Sequence, residues 1–97
     1  MNKARLVIQN RLLFDDGAIL VVKVWRVPEP VPPSLHPFKY SLFYGYPGTR
    51  LVGYDNERGK GDHKHVIGVE SPCEFLSIER LLADFRADVE TVRGGTI

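Results

Sequence analysis

The residues best equipped for chemistry lie in one polar stretch, residues 54–65. It reads Tyr-Asp-Asn-Glu-Arg-Gly-Lys-Gly-Asp-His-Lys-His and holds two of the three histidines of the chain. Imidazole exchanges protons near neutral pH because its unperturbed pKa is about 6.5. Apolar sequence precedes the stretch and a helical pattern follows it, and segments held between rigid elements often bind or catalyse. The polar stretch is therefore the candidate functional site.

Metal-free RNA cleavage is one interpretation of the polar stretch. His63 or His65, together with a carboxylate, would act as general base and general acid on a 2′-hydroxyl and the leaving 5′-oxygen. Arg58 and Lys60 would stabilise the negative charge that develops on phosphate. The carboxylates available nearby are Asp55, Glu57 and Asp62. This interpretation requires no metal and no other cofactor.

The centre of the stretch has the composition of a phosphate-binding turn. Gly59 and Gly61 flank Lys60, so the backbone can turn tightly and approach a ligand closely. Arg58 precedes this turn. We predict that Arg58, Gly59, Lys60 and Gly61 bind phosphate through backbone amides and through the two cationic side chains. The segment is not a Walker loop, because the spacing and the Lys-Ser/Thr ending are absent. Asn56 and Asp62 are predicted to support the site.

Other interpretations of the stretch remain open. His63, His65 and Asp62 could bind a metal, but zinc needs three or four well-placed ligands and only Cys73 or a distant acid could complete the set. We therefore predict no metal. The stretch could instead bind a phosphate backbone or a partner without chemistry. It could also be an inert polar loop whose ions pair with each other, such as Asp55 with Arg58.

The sequence pattern predicts strands on both sides of the polar stretch, most of them N-terminal to it. Residues 4–14 alternate as a strand, Asp15-Asp16-Gly17 is a turn signal, and residues 18–27 are apolar on both parities. The second strand is thus expected to be central, covered on both faces or on one face plus a partner. Residues 38–46 form a third strand, followed by a turn at Pro47-Gly48 and a fourth strand over residues 50–56. Residues 66–69 are expected to form a short fifth strand, ended by Ser71-Pro72.

Two segments stand out by composition, one rich in proline and the other rich in aromatic residues. Five prolines in residues 28–37 predict a stiff, extended crossover over the sheet edge, and His36 within it is expected to be a surface residue. The third strand carries a stripe of apolar and aromatic residues, which are Phe38, Tyr40, Leu42, Tyr44 and Tyr46. Such a stripe is typical of a core, although it can also stack nucleotide bases.

A helix near the C-terminus completes the predicted fold. Ser77 suits the N-cap, and Gly94-Gly95 suits the C-cap. One apolar stripe runs along the helix and comprises Ile78, Leu81, Leu82, Phe85, Val89 and Val92. The predicted fold class is α+β, with an antiparallel sheet of four to five strands and one C-terminal helix packed on it. Residues 1–97 are expected to form a single domain.

Composition excludes several classes of protein. The single cysteine, Cys73, excludes an internal disulfide and suits a reducing compartment. The N-terminus resembles neither a secretory signal nor a membrane span, so the expected location is cytoplasmic. Net charge is only +1, but residues 1–26 hold five cations against two aspartates. Those cations could form a basic face that meets a polyanion, or they could guard exposed strand edges.

Four motifs together resemble one family. They are the polar stretch, Trp25-Arg26-Val27-Pro28-Glu29-Pro30-Val31, Lys39-Tyr40-Ser41-Leu42 and Leu81-Leu82-Ala83-Asp84-Phe85. The chain resembles the TumE-like family of bacterial toxin–antitoxin proteins over nearly its whole length. The resemblance implies a toxin component that is paired with a helix-turn-helix antitoxin. A homodimer is a further expectation.

The resemblance also implies which positions are functional. The residues that match the signature are Asp55, Asn56, Arg58, Lys60, Asp62, His63 and His65. Ribonuclease activity is an extrapolation from toxins of similar size and architecture, and the individual roles come from the chemistry above. The alternatives are a non-catalytic binding module, which inhibits by occupying nucleic acid or a protein partner, and an inactive member of an operon.

Overall fold

A computed structural model describes residues 3–97. It contains six strands and one helix, with the following bounds in chain order: β1 Arg5–Leu13, β2 Ile19–Arg26, β3 Phe38–Tyr46, β4 Thr49–Glu57, β5 Gly61–Val66, β6 Val69–Pro72 and α1 Ile78–Arg93. Each strand pairs antiparallel with the next, so the sheet order is the chain order. The α+β class and the C-terminal helix are confirmed.

The predicted count of four to five strands was wrong, because the described residues form a sheet of six. The polar stretch itself supplies β5, whereas the sequence pattern placed the fifth strand over residues 66–69. Ile67 and Gly68 lie between β5 and β6 with φ of 47° and 77°, which gives a tight hairpin turn. Pro72, expected to end the strand, is its last residue, and an edge strand tolerates proline.

The helix covers one face of the sheet, called here the helix face. Side chains alternate along each strand, so the buried members of β2, β3 and β4 point to this side. The core contains Ala18, Leu20, Val22, Val24, Tyr40, Leu42, Tyr44, Val52, Tyr54, Leu81, Phe85 and Val89. Tyr40, Leu42 and Tyr44 confirm the core interpretation for the middle of the aromatic stripe, whereas Tyr46 at its end is exposed. The other side, called the open face, carries no helix within residues 3–97.

Local signals define both ends of the helix as predicted. The Ser77 side chain accepts a hydrogen bond from the Arg80 amide at 3.0 Å. Gly94 adopts φ of 79°, and its amide donates to the Glu90 carbonyl. Arg93 in the last turn stacks on Phe14, with its guanidinium carbon 4.0 Å from the ring centroid. The helix end is therefore held against the β1–β2 hairpin.

The proline-rich segment closes a hairpin at the end of the sheet. The predicted crossover over the sheet edge was wrong, because β2 and β3 are direct antiparallel neighbours. The Val27 amide donates to the Pro37 carbonyl at 2.9 Å and closes the base of the segment. The segment also contacts the turn between β4 and β5, because the Gly59 amide donates to the Pro32 carbonyl at 2.8 Å. It thereby supports the turn that precedes β5.

Candidate functional site

Strand alternation divides the polar stretch between the two faces of the sheet. His63 and His65 lie on the open face, with ring centroids 5.4 Å apart, so the prediction that they share a face is confirmed. Asp62 and Lys64 point to the helix face, where Lys64 pairs with Asp88 at 3.3 Å. Asp62 is thus unable to join the two histidines in one site.

Asp55 and His63 are cross-strand neighbours on the open face. The His63 Nε2 and Asp55 Oδ1 atoms lie 2.6 Å apart, and the two side chains are 5% and 25% exposed. The approach is not aligned as a hydrogen bond, and neither atom has another partner in the described structure. The His63 Nδ1 lies 2.9 Å from the Gly61 carbonyl. A carbonyl only accepts, so Nδ1 carries a proton.

His65 is the more accessible imidazole of the pair, with 16% of its side chain exposed. Its Nε2 lies 3.7 Å from Glu70 Oε2, and Lys60 Nζ lies 3.5 Å from the other oxygen of Glu70. Glu70 was missed by the sequence prediction. It lies directly opposite His65 in the β5–β6 pair, a relationship that became visible only once β6 was placed.

Asp62 organises a separate cluster on the helix face. Its carboxylate accepts hydrogen bonds from Ser34 Oγ at 2.5 Å, His36 Nε2 at 2.7 Å and Tyr40 Oη at 2.7 Å. Burial raises the pKa of Asp62, but these three bonds outweigh it and hold the pKa below its ordinary value. Asp62 therefore ties the proline-rich segment and β3 to β5, and its support of the candidate site stays a prediction.

His36 was expected on the surface, and that prediction was wrong. Its side chain is 13% exposed and stacks on Phe75 with ring centroids 3.8 Å apart. The Phe38 amide donates to Nδ1 at 3.3 Å, so Nε2 carries the proton that is donated to Asp62. Both ring nitrogens are thus committed to structure. The proline-rich composition predicted a stiff segment but not the carboxylate that anchors it.

Asn56 is fully buried and also ties strands together. Its Oδ1 accepts from the Tyr40 amide at 3.0 Å, and its Nδ2 donates to the Phe38 carbonyl at 2.8 Å. A second, longer contact reaches Ser34 Oγ at 3.4 Å. Asn56 therefore aligns β3 and β4, and it lies on the helix face rather than beside the histidines.

The predicted phosphate turn forms between β4 and β5. Gly59 and Gly61 adopt φ of 87° and 76°, which glycine tolerates best. The amides of Gly59 and Lys60 donate to Pro32 and Glu57, so they are not free to bind phosphate. Phosphate binding by this turn stays a prediction that depends on the side chains of Arg58 and Lys60, both of which are exposed.

The open face surrounds the histidines with cations and aromatic rings. Two rows of paired residues cross the sheet: Gln9, Lys23, Ser41, Asp55, His63 and Pro72, then Arg11, Val21, Phe43, Gly53, His65 and Glu70. Trp25 and Lys39 pair on the same face beside the first row. Arg50 extends over Gly53, where an added Cβ would lie 2.5 Å from Arg50 Cδ.

The cations of the open face are not neutralised by neighbouring acids. Among residues 3–97, no carboxylate lies within 4.0 Å of the charged atoms of four of them, which are Arg11, Lys23, Lys39 and Arg50. Arg11 and Lys23, from residues 1–26, thus share the open face with Lys39 of β3 and Arg50 of β4. The helix lies on the other side of the sheet.

Two sets of side chains have the geometry to approach one metal ion. The first is His63, His65 and Glu70, and the second is Asp55, Glu57 and His63; within each set the ligand atoms lie within 4.8 Å of one another. Both sets are on the open face and neither includes Asp62. Cys73 is also absent from both. Burial raises the pKa of the Cys73 thiol and so favours its protonated form.

A comparison with family models matches residues 1–93 to the family described as Toxin TumE. The chain belongs to the TumE toxin family. Membership makes it the toxin component of a toxin–antitoxin pair and implies an antitoxin partner. No curated protein and no solved structure matched the chain. Among the described residues of this TumE family member, no helix is long and apolar enough to span a membrane.

Proposed function

We propose that this toxin acts on RNA as a metal-independent endoribonuclease and that the open face is its RNA-binding surface. The observation that carries the proposal is that one face presents both imidazoles, Asp55, two aromatic rings and unpaired cations. Cations bind the phosphate backbone, and aromatic rings such as Trp25 and Phe43 stack on unpaired bases. The same composition serves single-stranded RNA on other β-sheet surfaces.

His65 is the residue best placed to exchange a proton with RNA. It is the more exposed imidazole, and it lies beside the Asp55–His63 pair. His63 would supply or receive the second proton, with Asp55 stabilising its imidazolium form. Arg58 and Lys60, at the turn before β5, would stabilise the charge that develops on phosphate. The reaction is the attack of a 2′-hydroxyl on the adjacent phosphate, with the 5′-oxygen leaving as it gains a proton.

The test is cleavage of RNA by purified protein, with and without ribosomes. His65→Ala and His63→Ala are expected to abolish cleavage while leaving RNA affinity largely intact. Lys64→Ala is the matched control, because Lys64 lies between them in β5 but points to the helix face. Equal loss of activity in the control variant, or cleavage by His65→Ala at the normal rate, would overturn the assignment of the site.

A non-catalytic binding module is the second candidate function. The observation in its favour is that His63 is 5% exposed and its Nε2 faces Asp55 rather than solvent. In this case the open face would inhibit by occupying nucleic acid or a protein partner. RNA would then be bound but never cleaved, and substitution of either histidine would leave toxicity unchanged as long as the cations remain.

The proposed partner is a helix-turn-helix antitoxin, and the proposed location is the cytoplasm, where RNA is available. A homodimer is proposed as well, because β1 is an edge strand with exposed apolar side chains, among them Leu6 and Leu13. Co-expression with the candidate antitoxin and size exclusion test both assemblies. Two separate peaks at unshifted volumes would contradict the antitoxin complex, and a monomer mass for the toxin alone would contradict the homodimer.

A further inference from the structure

We propose that His63, His65 and Glu70 form a binding site for a zinc-like divalent transition metal on the open face. The ligand atoms of the three side chains lie within 4.8 Å of one another. Two imidazoles and a carboxylate are a set that zinc accepts, whereas magnesium prefers oxygen ligands alone. The metal site shares His63 and His65 with the proposed RNA-cleaving site, but a metal ion can bind there whether or not RNA is a substrate.

His65 and Glu70 have a spacing close to that of two ligands in a tetrahedral zinc site. Zinc bonds to nitrogen and oxygen at about 2.0–2.2 Å, so two ligands of one tetrahedral ion lie roughly 3.3–3.5 Å apart. His65 Nε2 and Glu70 Oε2 are 3.7 Å apart. Small side-chain rotations would bring the ligand atoms, which now lie within 4.8 Å of one another, to the separation that one ion requires. His65 and Glu70 are opposite each other on paired strands, so the backbone already holds both at the required separation.

The state of His63 points independently to a cation. Its Nδ1–H donates to the Gly61 carbonyl, which is the second-shell bond that typically orients a metal-binding imidazole. Its Nε2 is then free to ligate, yet this atom is buried and has no aligned hydrogen bond. Asp55 Oδ1, only 2.6 Å away, is also without an aligned partner. Buried polar atoms rarely lack partners, and a cation beside the pair would satisfy both.

For an ion to bind at these three side chains, Lys60 would have to release Glu70. Lys60 Nζ lies 3.5 Å from Glu70 in an exposed contact. Exposed ion pairs of this kind contribute little stability, so a divalent ion can displace the ammonium group. The result would be a site with two imidazoles and one carboxylate, which is the number of protein ligands in an open zinc site.

The experiment is a titration of the full-length, untagged and metal-free protein with Zn²⁺ by calorimetry and with Co²⁺ by absorption. One equivalent is expected to bind, with the intense visible bands of tetrahedral cobalt. Glu70→Gln and His65→Ala are each expected to weaken binding at least about tenfold. Glu74→Gln is the matched control, since Glu74 is an exposed carboxylate outside the cluster, and it should bind as the wild type does.

Other results would contradict the proposal. Absence of binding at micromolar Zn²⁺, or equal affinity in the wild type and Glu70→Gln, would overturn it. A Cys73→Ser protein that no longer binds would assign the metal to the thiol instead. Circular dichroism establishes that each variant is folded, and Glu70 is exposed, so Glu70→Gln is not expected to unfold the chain. Zn²⁺ should raise the melting temperature of the wild type more than that of Glu70→Gln.

Discussion

Asp62 and His63 are adjacent in β5, yet their side chains lie on opposite faces of the sheet. Asp62 accepts three hydrogen bonds on the helix face, and His63 meets Asp55 on the open face. The two-residue period of a strand imposes this separation. One short strand thus supplies a structural anchor on one side and the candidate site on the other. Substitutions at the two positions should consequently have different effects.

Asp62→Asn is expected to destabilise the fold by about 1–3 kcal/mol at neutral pH, because the carboxylate partner of three donors is replaced. The three bonds outweigh burial and hold the pKa of Asp62 below its ordinary value, so its stabilising effect is present above about pH 3.9. It is lost as the pH falls through the lower pKa of the folded state. Urea unfolding at pH 7 and below pH 4 measures the difference between wild type and variant.

Asp15→Asn is the control for the acid dependence, since Asp15 is exposed in the β1–β2 turn. Its free energy of unfolding should follow that of the wild type at both pH values. If the difference in the free energy of unfolding between wild type and Asp62→Asn became larger as the pH falls, the assigned direction of the pKa shift would be contradicted.

Phe85→Ala is expected to cost roughly 3–5 kcal/mol in the free energy of unfolding. Phe85 is 2% exposed and packs edge-on against Tyr54, with ring centroids 5.7 Å apart. Its removal leaves a cavity between α1 and β4. Leu35→Ala serves as the control, because Leu35 is 93% exposed and should change stability by less than about 0.5 kcal/mol. A loss below about 1 kcal/mol for Phe85→Ala in denaturant titration would exclude Phe85 from the core.

Lys39→Ala should weaken RNA binding to a similar extent for different RNA sequences. Lys39 is exposed on the open face beside Trp25. For single-stranded RNA, loss of one phosphate contact makes the slope of log affinity against log salt concentration less steep by about 0.7. Lys64→Ala removes the same charge on the helix face and should leave the slope unchanged. An equal slope for wild type and Lys39→Ala, measured by fluorescence anisotropy across a salt series, would exclude this face from the RNA contact.

Local rules predicted most of the elements that carry the site. The helix and its caps depend on adjacent residues, such as Ser77 with Arg80, so the sequence pattern was sufficient. The shared face of His63 and His65 also follows from strand period alone. The sixth strand was missed because Ile67 adopts a positive φ that is rare for a β-branched residue. A tight turn was therefore not apparent at that position.

Contacts between distant segments could not be predicted from spacing. His36 and Asp62 are 26 residues apart and meet only because the proline-rich segment folds back onto β5. Glu70 joins the histidines for the same reason, through the pairing of β6. The composition of the turn at Gly59 predicted its backbone shape but not that the Pro32 carbonyl would occupy its amide. Each of these partners is selected by tertiary structure.

Added zinc should reduce the rate of RNA cleavage, whereas chelation of metal ions should not. Cleavage by His65 as a proton carrier needs its imidazole nitrogen free, so EDTA is expected to leave the rate unchanged or raise it. Saturating Zn²⁺ would occupy that nitrogen and reduce the rate at least about tenfold, with half-inhibition at the zinc affinity measured without RNA. Glu70→Gln should cleave normally and resist zinc, while Glu74→Gln should be inhibited as the wild type is. Loss of cleavage in EDTA would refute the metal-independent mechanism, whereas full activity with zinc bound at Glu70 would show that His65 is not the proton carrier.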